Sequence, residues 1–236
     1  MTPSRVTLLA FDFDGTLAPI QQDPSTVALD PELAGFLEEA AVTPAVVVAI
    51  VSGRDSEDLS QRLGPIPAYL VGSHGLEIHA PGGEIIRGSP PIDLQLDDEL
   101  QEEILTGGLR IERKRHAIAV HWRGVSDVEA GHPLLDRFRQ WGRTHALDII
   151  EGRCVVEARS HGDGKEEALR WLASATGATT IIYAGDDTTD FGPLRFAVSH
   201  GLALFVQSEE RQPPPGVTLI SSRSELLGIV RNEIRL

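Results

Sequence analysis

The chain has 236 residues, of which 41% are hydrophobic, and its 21 basic and 35 acidic side chains give a formal net charge of −14. This length is typical of one large domain or of a domain with an insertion, and the apolar fraction supports a packed core. The negative field repels nucleic acid and anionic lipid, and no run reaches the roughly 18 apolar residues of a membrane span, so neither nucleic acid nor a membrane is expected as a partner. The single cysteine, Cys154, excludes an intrachain disulfide and fits the reducing cytoplasm as the expected location.

Five short apolar runs predict strands, and helical patterns lie between them at both ends of the chain. The runs are mostly continuous rather than alternating, which is typical of strands covered on both faces. Strand and helix therefore alternate, and this predicts an α/β fold with a doubly wound parallel sheet. The predicted strands are 7–13, 46–51, 68–71, 180–184 and 202–206.

Capping residues set the ends of the predicted helices. Asp30 precedes Pro31 at the start of the first helix, and Gly64 ends the second. Gly177 ends the helix in GKEEALRWLASATG, and a last helix is predicted in SRSELLGIVRNEIRL.

The middle of the chain has a different pattern. IERKRHAIAVHWRG and DIIEGRCVVEA alternate in polarity, which predicts strands of a sheet with one face in water. A helical pattern lies between them. We therefore predict an α+β insertion over 90–160, after a proline pair, within a core formed by 1–89 and 161–236.

Acidic side chains follow two of the predicted core strands. Asp12 and Asp14 lie at the end of the first strand, and Asp186, Asp187 and Asp190 lie after the strand that ends in GDDTTD. Ligands of open α/β sheets bind beyond the carboxyl ends of the strands. If the first strand continues, its alternation directs Asp12 and Asp14 to the same side.

A hydroxyl and an ammonium accompany these carboxylates. Ser52 begins the sequence SGR after the second strand, and Lys165 begins a helix in GDGKEE. Oxygen ligands with few other donors suit Mg²⁺ rather than zinc. A carboxylate can attack phosphorus and form an aspartyl-phosphate, while a second carboxylate transfers protons to and from the oxygens. The pattern predicts a phosphoryl-transfer site.

Four motifs, DFDGTLAPI, VSGR, GDGKEEAL and YAGDDTTD, resemble those of the haloacid dehalogenase (HAD) superfamily of phosphatases. Within it, VGSHGLEI, IERKRHAIAVHWRG and VVEARSHGDGKEEAL resemble the trehalose-6-phosphate phosphatases. The resemblance covers nearly the whole chain, and the motifs keep their order. It implies a HAD core with a mobile cap, a sugar phosphate as the small-molecule substrate and trehalose-6-phosphate synthase as a functional partner. A monomer is expected.

The resemblance assigns roles by position. It implies that Asp12 is the nucleophile, that Asp14 is the general acid/base, and that Lys165 binds the transferring phosphoryl group. The metal site would contain Asp12, Asp14 through its backbone carbonyl, Asp186 and, as a supporting residue, Asp187; Asp190 would support Lys165. The implied substrate-binding residues are Thr16, Ser52, Gly53, Arg54 and His74 in the core and Glu112, Lys114, Arg123 and Glu157 in the insertion.

Other interpretations of these residues and of the chain remain open. Charges that alternate on a half-exposed sheet also form cross-strand pairs without any ligand, and His74 either reaches the sugar or holds its turn. Phosphatases of sucrose phosphate, mannosyl-3-phosphoglycerate or glucosyl-3-phosphoglycerate are the nearest alternatives, and a phosphomutase is a more distant one. A receiver domain phosphorylated on aspartate, or an inactive sugar-phosphate sensor, belongs to a different class. The acid/base Asp14 and the long insertion disfavour the receiver domain.

Overall fold

The computed structural model describes residues 5–21, 23–125, 128–152, 154–207 and 211–235. The chain divides into two compact units. Unit 1 contains Met1–Gly88 and Asp163–Leu236, and unit 2 contains Ser89–Gly162. These bounds lie within two residues of those predicted for the core and the insertion.

Unit 1 is built on one eight-stranded sheet. Its strands are β1 (Val6–Phe11), β2 (Val46–Val51), β3 (Tyr69–Gly72), β4 (Glu77–His79), β5 (Ile85–Gly88), β10 (Ala178–Gly185), β11 (Gly201–Val206) and β12 (Thr218–Ile220). Their order is β12-β11-β10-β1-β2-β3-β4-β5, and the strands from β12 to β3 are parallel. The antiparallel pairs of β4 and β5 at one edge were not predicted, because these short segments lack a continuous apolar run.

Helices cover both faces of this sheet, so the doubly wound α/β architecture is confirmed. The helices of unit 1 are α1 (Pro31–Ala41), α2 (Ser56–Leu63), α5 (Lys165–Thr176), α6 (Phe191–His200) and α7 (Arg223–Ile234). Leu9 and Phe11 of β1 pack in one core cluster with α1, α2 and α7, whereas Leu8 and Ala10 pack in the other with α5 and α6. Adjacent β1 residues face opposite sides, which explains the continuous apolar run.

The predicted caps are present at the helix ends. The Asp30 side chain accepts a hydrogen bond from the Glu32 N–H at 2.9 Å at the start of α1. Gly64 and Gly177 follow α2 and α5 with φ of +65° and +67°, a region that glycine adopts without steric cost. None of the helices in the described part of the chain has the length and hydrophobicity of a membrane span.

Unit 2 is a four-stranded antiparallel sheet with two helices. It contains α3 (Asp98–Thr106), β6 (Arg110–Arg113), β7 (Ala117–His121), α4 (Val128–Thr144), β8 (Asp148–Gly152) and β9 (Val155–Arg159), and the strand order is β6-β7-β9-β8. One sheet face packs with α3 and α4 around Phe138 and Trp141. The α+β prediction for this segment is confirmed, but α3 was not predicted.

Candidate active site

The carboxyl ends of β2, β1 and β10 lie side by side, because these strands are parallel neighbours. Asp12 follows β1, Ser52 follows β2 and Asp186 follows β10. All three side chains are buried. The fold therefore brings together residues that the sequence places at three separate strand ends.

Lys165 links two buried carboxylates in this cluster. Its Nζ lies 2.7 Å from Asp12 Oδ1 and 2.8 Å from Asp190 Oδ1. The Tyr183 hydroxyl donates to the same Asp190 oxygen at 2.7 Å, and two backbone N–H groups after β10 donate to Asp190 Oδ2, both at 3.1 Å. Asp190 is thus saturated with hydrogen-bond donors, and it holds the ammonium against Asp12.

Burial controls the protonation of these groups. It raises the pKa of Asp12 well above its ordinary value, although the ammonium of Lys165 opposes this. Burial and the nearby Asp190 raise the pKa of Asp186 to about 7. Burial lowers the pKa of Lys165, but the two carboxylates that it contacts outweigh this and raise it, so Lys165 is charged.

The Asp186 carboxylate lies against the loop that follows β1. Gly15 in this loop has φ of +94°, and a Cβ at this position would overlap the Asp186 carboxylate. Only glycine therefore permits this approach. No group among the described residues donates a hydrogen bond to that carboxylate, which accounts for the strong effect of burial on its pKa.

Three carboxylates could hold a metal ion at this place. Oxygens of Asp12, Asp186 and Asp190 lie within 4.8 Å of one another. Against these three negative charges the cluster has one cation, Lys165, so two negative charges are uncompensated when all three acids are ionised. A divalent cation would balance them, and hard oxygen donors suit Mg²⁺. The residues present therefore fit a divalent metal.

Asp14 is separated from this cluster by its pairing with Arg54. Arg54 Nε and Nη2 lie 2.7 Å from Asp14 Oδ2 and Oδ1, which is a bidentate ion pair. The first strand ends at Phe11, short of the predicted end, and the chain turns at 13–16. The strand alternation that was predicted to direct Asp12 and Asp14 to one side therefore does not extend to Asp14.

Arg54 is itself held by the surrounding chain. Nη1 donates to Asp58 at 2.8 Å and Nη2 to the Pro24 carbonyl at 3.1 Å, and the guanidinium lies 5.6 Å from the centre of the Phe13 ring. Arg62 also binds Asp58, at 2.9 Å. Every guanidinium nitrogen of Arg54 thus has a protein acceptor, and its predicted contact with substrate stays a prediction.

The imidazole of His74 packs closely against Gly53. A Cβ at Gly53 would lie 2.4 Å from His74 Nε2 in the present arrangement, so the imidazole occupies the space that a side chain would need. Ser52 Oγ, in the same loop, accepts a hydrogen bond from the Arg54 N–H at 3.2 Å. His74 has φ of +56°, a strained conformation for a non-glycine residue.

The turn that contains His74 also packs against the start of α5. Gly75 has φ of +109°, and a Cβ there would lie 2.5 Å from the Gly164 carbonyl oxygen. Gly164 directly precedes Lys165, so the GSHG turn helps to set where α5 begins. The buried Glu77 supports this region, since its Oε1 accepts from the Ser56 N–H at 2.7 Å.

Two further predicted site residues have different surroundings. Thr16 is fully buried, and its hydroxyl has no hydrogen-bond partner among the described residues. The Asp187 carboxylate instead accepts from the Thr188 N–H at 2.7 Å and from Arg211 Nε at 3.3 Å. Asp187 caps its own turn and is not in the three-carboxylate cluster.

The predicted residues of unit 2 lie on the sheet face opposite its helices or next to it. Glu112 of β6 and Glu157 of β9 occupy one row across the sheet, with Ala119 of β7 between them. Lys114 Nζ pairs with Glu157, and His121 Nε2 lies 2.6 Å from Glu112 Oε2. The hydrogen bond from His121 lowers the pKa of Glu112 to about 2. The predicted Arg123 follows β7 in an exposed turn.

Comparison with known proteins identifies the relatives of this chain. The family model described as trehalose-phosphatase matches residues 10–192. The chain belongs to the trehalose-phosphatase family. Membership of this family implies a divalent metal, which agrees with the three carboxylates of the buried cluster. The match includes every predicted site residue.

Individual relatives agree with this assignment. The trehalose-phosphate phosphatase of Mycolicibacterium paratuberculosis is 33% identical over 216 residues, which are 85% of this chain and 54% of that protein. This family member therefore spans about half the length of the curated relatives that it matches. The C-terminal domain of Candida albicans trehalose-6-phosphate phosphatase has a TM-score of 0.80 at 20% identity, with 99% of this chain and 93% of that chain covered. A haloacid dehalogenase-like hydrolase from B. subtilis has a TM-score of 0.65 at 15% identity, and the match covers 95% of this chain and 98% of that chain. These structures establish the HAD fold.

Several residues of the site were not predicted from the sequence. Tyr183, Arg211 and Arg223 contact Asp190, Asp187 and the loop after β1, respectively. Tyr183 precedes the GDD motif by two residues, but within a strand it has the appearance of a core residue. Arg223 could have been noticed in the sequence, because it is a cation at the first position of the predicted last helix, where the helix dipole disfavours positive charge.

Proposed function

We propose that this family member is a Mg²⁺-dependent phosphomonoesterase that hydrolyses trehalose 6-phosphate to trehalose and phosphate. The observation that carries the proposal is the buried cluster of Asp12, Asp186 and Asp190 around one ammonium, Lys165. Family membership supports the substrate, since relatives named trehalose-phosphate phosphatases match most of this chain. Trehalose-6-phosphate synthase would be the enzyme that supplies the substrate.

Asp12 would be the nucleophile. Lys165 contacts its Oδ1, and no described residue donates a hydrogen bond to Oδ2, so one oxygen is available to attack phosphorus. The attack forms a bond between that oxygen and phosphorus, and the bond from phosphorus to the sugar oxygen breaks. Lys165 would also reduce the repulsion between this carboxylate and the phosphoryl oxygens.

Asp14 would move the protons. It gives a proton to the departing sugar oxygen in the first step and, as a carboxylate, takes one from water in the second. The water oxygen attacks the phosphorus of the aspartyl-phosphate, which releases inorganic phosphate and restores Asp12. Both carboxylate oxygens of Asp14 accept hydrogen bonds from Arg54, so the pair would have to open before Asp14 reaches the sugar oxygen or the water.

Asp12 and Asp186 would hold the metal, with the Asp14 backbone carbonyl as a further ligand, and Asp190 would orient Lys165 beside it. When bound, Mg²⁺ supplies positive charge that neutralises the phosphoryl oxygens. The unpartnered hydroxyl of Thr16 would bind one of those oxygens.

The polar face of unit 2 would recognise the sugar. Lys114, Glu112 and Glu157 offer charged donors and acceptors that suit hydroxyl groups, and Glu157 is buried. Because these carboxylates already have nitrogen partners, they would bind a neutral disaccharide at lower cost than a second phosphate. This argument disfavours a phosphomutase.

The proposal is tested by phosphate release from a panel of substrates with Mg²⁺ or with EDTA. The panel contains trehalose 6-phosphate, sucrose phosphate, the two glycosyl-3-phosphoglycerates and p-nitrophenyl phosphate. We expect trehalose 6-phosphate to have the highest kcat/KM, EDTA to abolish turnover and Asp12→Asn to be inactive. Faster turnover of another sugar phosphate would reject the substrate, and full activity of Asp12→Asn would reject the nucleophile.

A further inference from the structure

Two helices of unit 1 begin with a positively charged residue. Lys165 is the first residue of α5 and Arg223 is the first residue of α7. The dipole of a helix disfavours a cation at this end. Lys165 is compensated by Asp12 and Asp190. Arg223 contacts no carboxylate among the described residues, so its position needs another reason.

Arg223 contacts the backbone of the loop that carries Asp14. Its Nε donates to the Thr16 carbonyl at 3.1 Å, and its Nη2 donates to the Gly15 carbonyl at 3.2 Å. The planar guanidinium therefore binds two consecutive carbonyl oxygens with two of its nitrogens. Such a fork fixes the orientation of both peptide planes, which a point charge such as an ammonium cannot do.

The loop's own hydrogen bonds close it on the opposite side. The Gly15 N–H donates to the Ala18 carbonyl at 2.8 Å, and the N–H groups of Leu17 and Ala18 donate to the Phe13 carbonyl at 3.0 and 2.9 Å. These bonds use N–H groups of the loop, and none of them uses the carbonyls of residues 15 and 16. Arg223 supplies the donors that these carbonyls require.

The start of α7 is fixed independently of the loop. The Ser222 side chain accepts from the Glu225 N–H at 3.1 Å, and Glu225 Oε2 accepts from the Ser221 N–H at 2.8 Å. Leu226 and Val230 are buried in the core cluster on the same helix. Arg223 therefore extends from a helix start whose own contacts do not involve the loop.

Arg223 also differs from the other cations of the site in its charge balance. Arg54 pairs with Asp14 and Arg211 with Asp187. Arg223 binds only neutral carbonyls, so its charge is not cancelled by a carboxylate among the described residues. In a chain with a net charge of −14, this adds to the positive potential available to an incoming phosphate dianion.

We propose that Arg223 is a positioning residue of the phosphoryl-transfer site, which holds the carbonyls of Gly15 and Thr16 and thereby orients Asp14 and the Thr16 hydroxyl. The proposal rests on the proposed function for the reaction that these residues serve. Arg223 lies beyond residues 10–192, where the family model matches. The segment after that match thus contributes to the site.

The test compares Arg223→Met and Arg223→Lys with Arg231→Met as the matched control. Arg231 lies on the same helix, where it pairs with Glu39 at 2.8 Å and covers the Phe36 ring. For Arg223→Met we expect kcat to fall about tenfold for trehalose 6-phosphate and about threefold for p-nitrophenyl phosphate, whose leaving group needs no proton from Asp14, with KM changed less than about threefold. Arg223→Lys should recover part of this loss, since an ammonium can bind one carbonyl. Arg231→Met should lower the melting temperature and keep kcat.

Two measurements do not depend on turnover of a sugar phosphate. In the metal-free protein, hydrogen exchange of the amides of Gly15, Leu17 and Ala18 should be faster in Arg223→Met and unchanged in Arg231→Met. Calorimetric titration with beryllium fluoride in Mg²⁺ should give about tenfold weaker binding in Arg223→Met.

The outcomes separate this proposal from the proposed function. Exchange and beryllium fluoride binding that match the wild type in Arg223→Met, or equal losses of kcat in Arg231→Met, would overturn the role of Arg223. A wild type that hydrolyses no sugar phosphate would overturn the proposed function, while exchange and beryllium fluoride binding would still decide the role of Arg223.

Discussion

The charged residues of unit 1 and those of unit 2 are organised differently. In unit 1, three carboxylates and Lys165 are buried at the carboxyl ends of parallel strands, and the Asp186 carboxylate has no hydrogen-bond donor among the described residues. In unit 2, the predicted carboxylates Glu112 and Glu157 lie on one face of an antiparallel sheet, and each faces a nitrogen.

This difference indicates two different requirements. The cluster of unit 1 has more negative than positive charge, so a cation or protons must complete it. On the polar face of unit 2, Glu112 and Glu157 each have a nitrogen partner, so any ligand must exchange hydrogen bonds with pairs that already exist. Under the proposed function, the chemistry would take place in the cluster of unit 1, and the polar face of unit 2 would recognise neutral hydroxyls.

The largest expected effect comes from removing Lys165, the cation that contacts the buried carboxylates. Lys165→Met leaves Asp12 and Asp190 buried without a counter-charge, and breaking a buried pair costs about 3 kcal/mol of unfolding free energy. We expect phosphate release to fall about 10³-fold or more, since the same ammonium would stabilise the phosphoryl oxygens. Urea unfolding and kcat measure the two effects.

Arg170→Met is the control for this change. Arg170 lies on the same helix and pairs with Glu166 at the surface at 2.7 Å, where ion pairs contribute about 0–1 kcal/mol. If Lys165→Met and Arg170→Met lost equal free energy of unfolding, the claim that Lys165 compensates the buried carboxylates would be wrong.

The second effect concerns the pH dependence of the metal-free protein. The pKa of Asp186 is raised to about 7 from an ordinary 3.8, so the folded state binds this proton more tightly than the unfolded state. The stability of the metal-free protein should therefore fall as pH rises from about 4 to 7, on the order of a few kcal/mol. Mg²⁺ would replace the proton, so the stabilisation by Mg²⁺ should increase from pH 6 to pH 8.

Asp186→Asn should flatten this pH dependence and remove most of the gain from Mg²⁺. The measurement is urea unfolding from pH 5 to pH 8, with Mg²⁺ or with EDTA. A wild type whose metal-free stability rises over this range would contradict the burial argument.

A third experiment tests the pair between Arg54 and Asp14. In Arg54→Gln the acid/base loses its orientation, so substrates that need a protonated leaving group should suffer most. We expect kcat/KM for trehalose 6-phosphate to fall about 30-fold and that for p-nitrophenyl phosphate about threefold, because p-nitrophenolate leaves without a proton.

Arg62→Gln provides the comparison for the third experiment, since Arg62 contacts Asp58 but not Asp14. Arg62→Gln should reduce the free energy of unfolding and leave the ratio of kcat/KM for the two substrates unchanged. Equal losses for both substrates in Arg54→Gln would show that Arg54 has only a structural role.

The smallest expected effect is on the polar face of unit 2. Lys114→Met should raise KM for trehalose 6-phosphate about tenfold through lost hydrogen bonds, and change kcat/KM for p-nitrophenyl phosphate less than about twofold. Arg113→Met is the control. Arg113 directly precedes Lys114 in the chain, and its side chain donates to the Gln101 side chain at 2.8 Å. A uniform loss for both substrates would mean that Lys114 does not recognise the sugar.

Local patterns in the sequence were sufficient for much of unit 1. Asp30 and Gly64 have short-range roles in caps, which depend only on neighbouring residues. The continuous apolar runs predicted parallel strands, and parallel strands place Asp12, Ser52 and Asp186 at one edge. By contrast, the edge strands β4 and β5 were not predicted, because their short segments lack a continuous apolar run and acquire order from packing. The helix α3 was also not predicted, although its sequence DELQEEILT is rich in helix-forming residues.

The partners of each predicted residue were decided by tertiary structure. The sequence by itself predicted that Asp12, Ser52 and Asp186 lie at one edge of the sheet, because each follows an apolar run that forms a parallel strand. It could not show that Asp14 faces Arg54, that Asp187 caps its own turn, or that Tyr183 and Arg223 support the site. Those contacts join residues up to 208 positions apart, and only the packing of strands and helices brings such groups within hydrogen-bond distance.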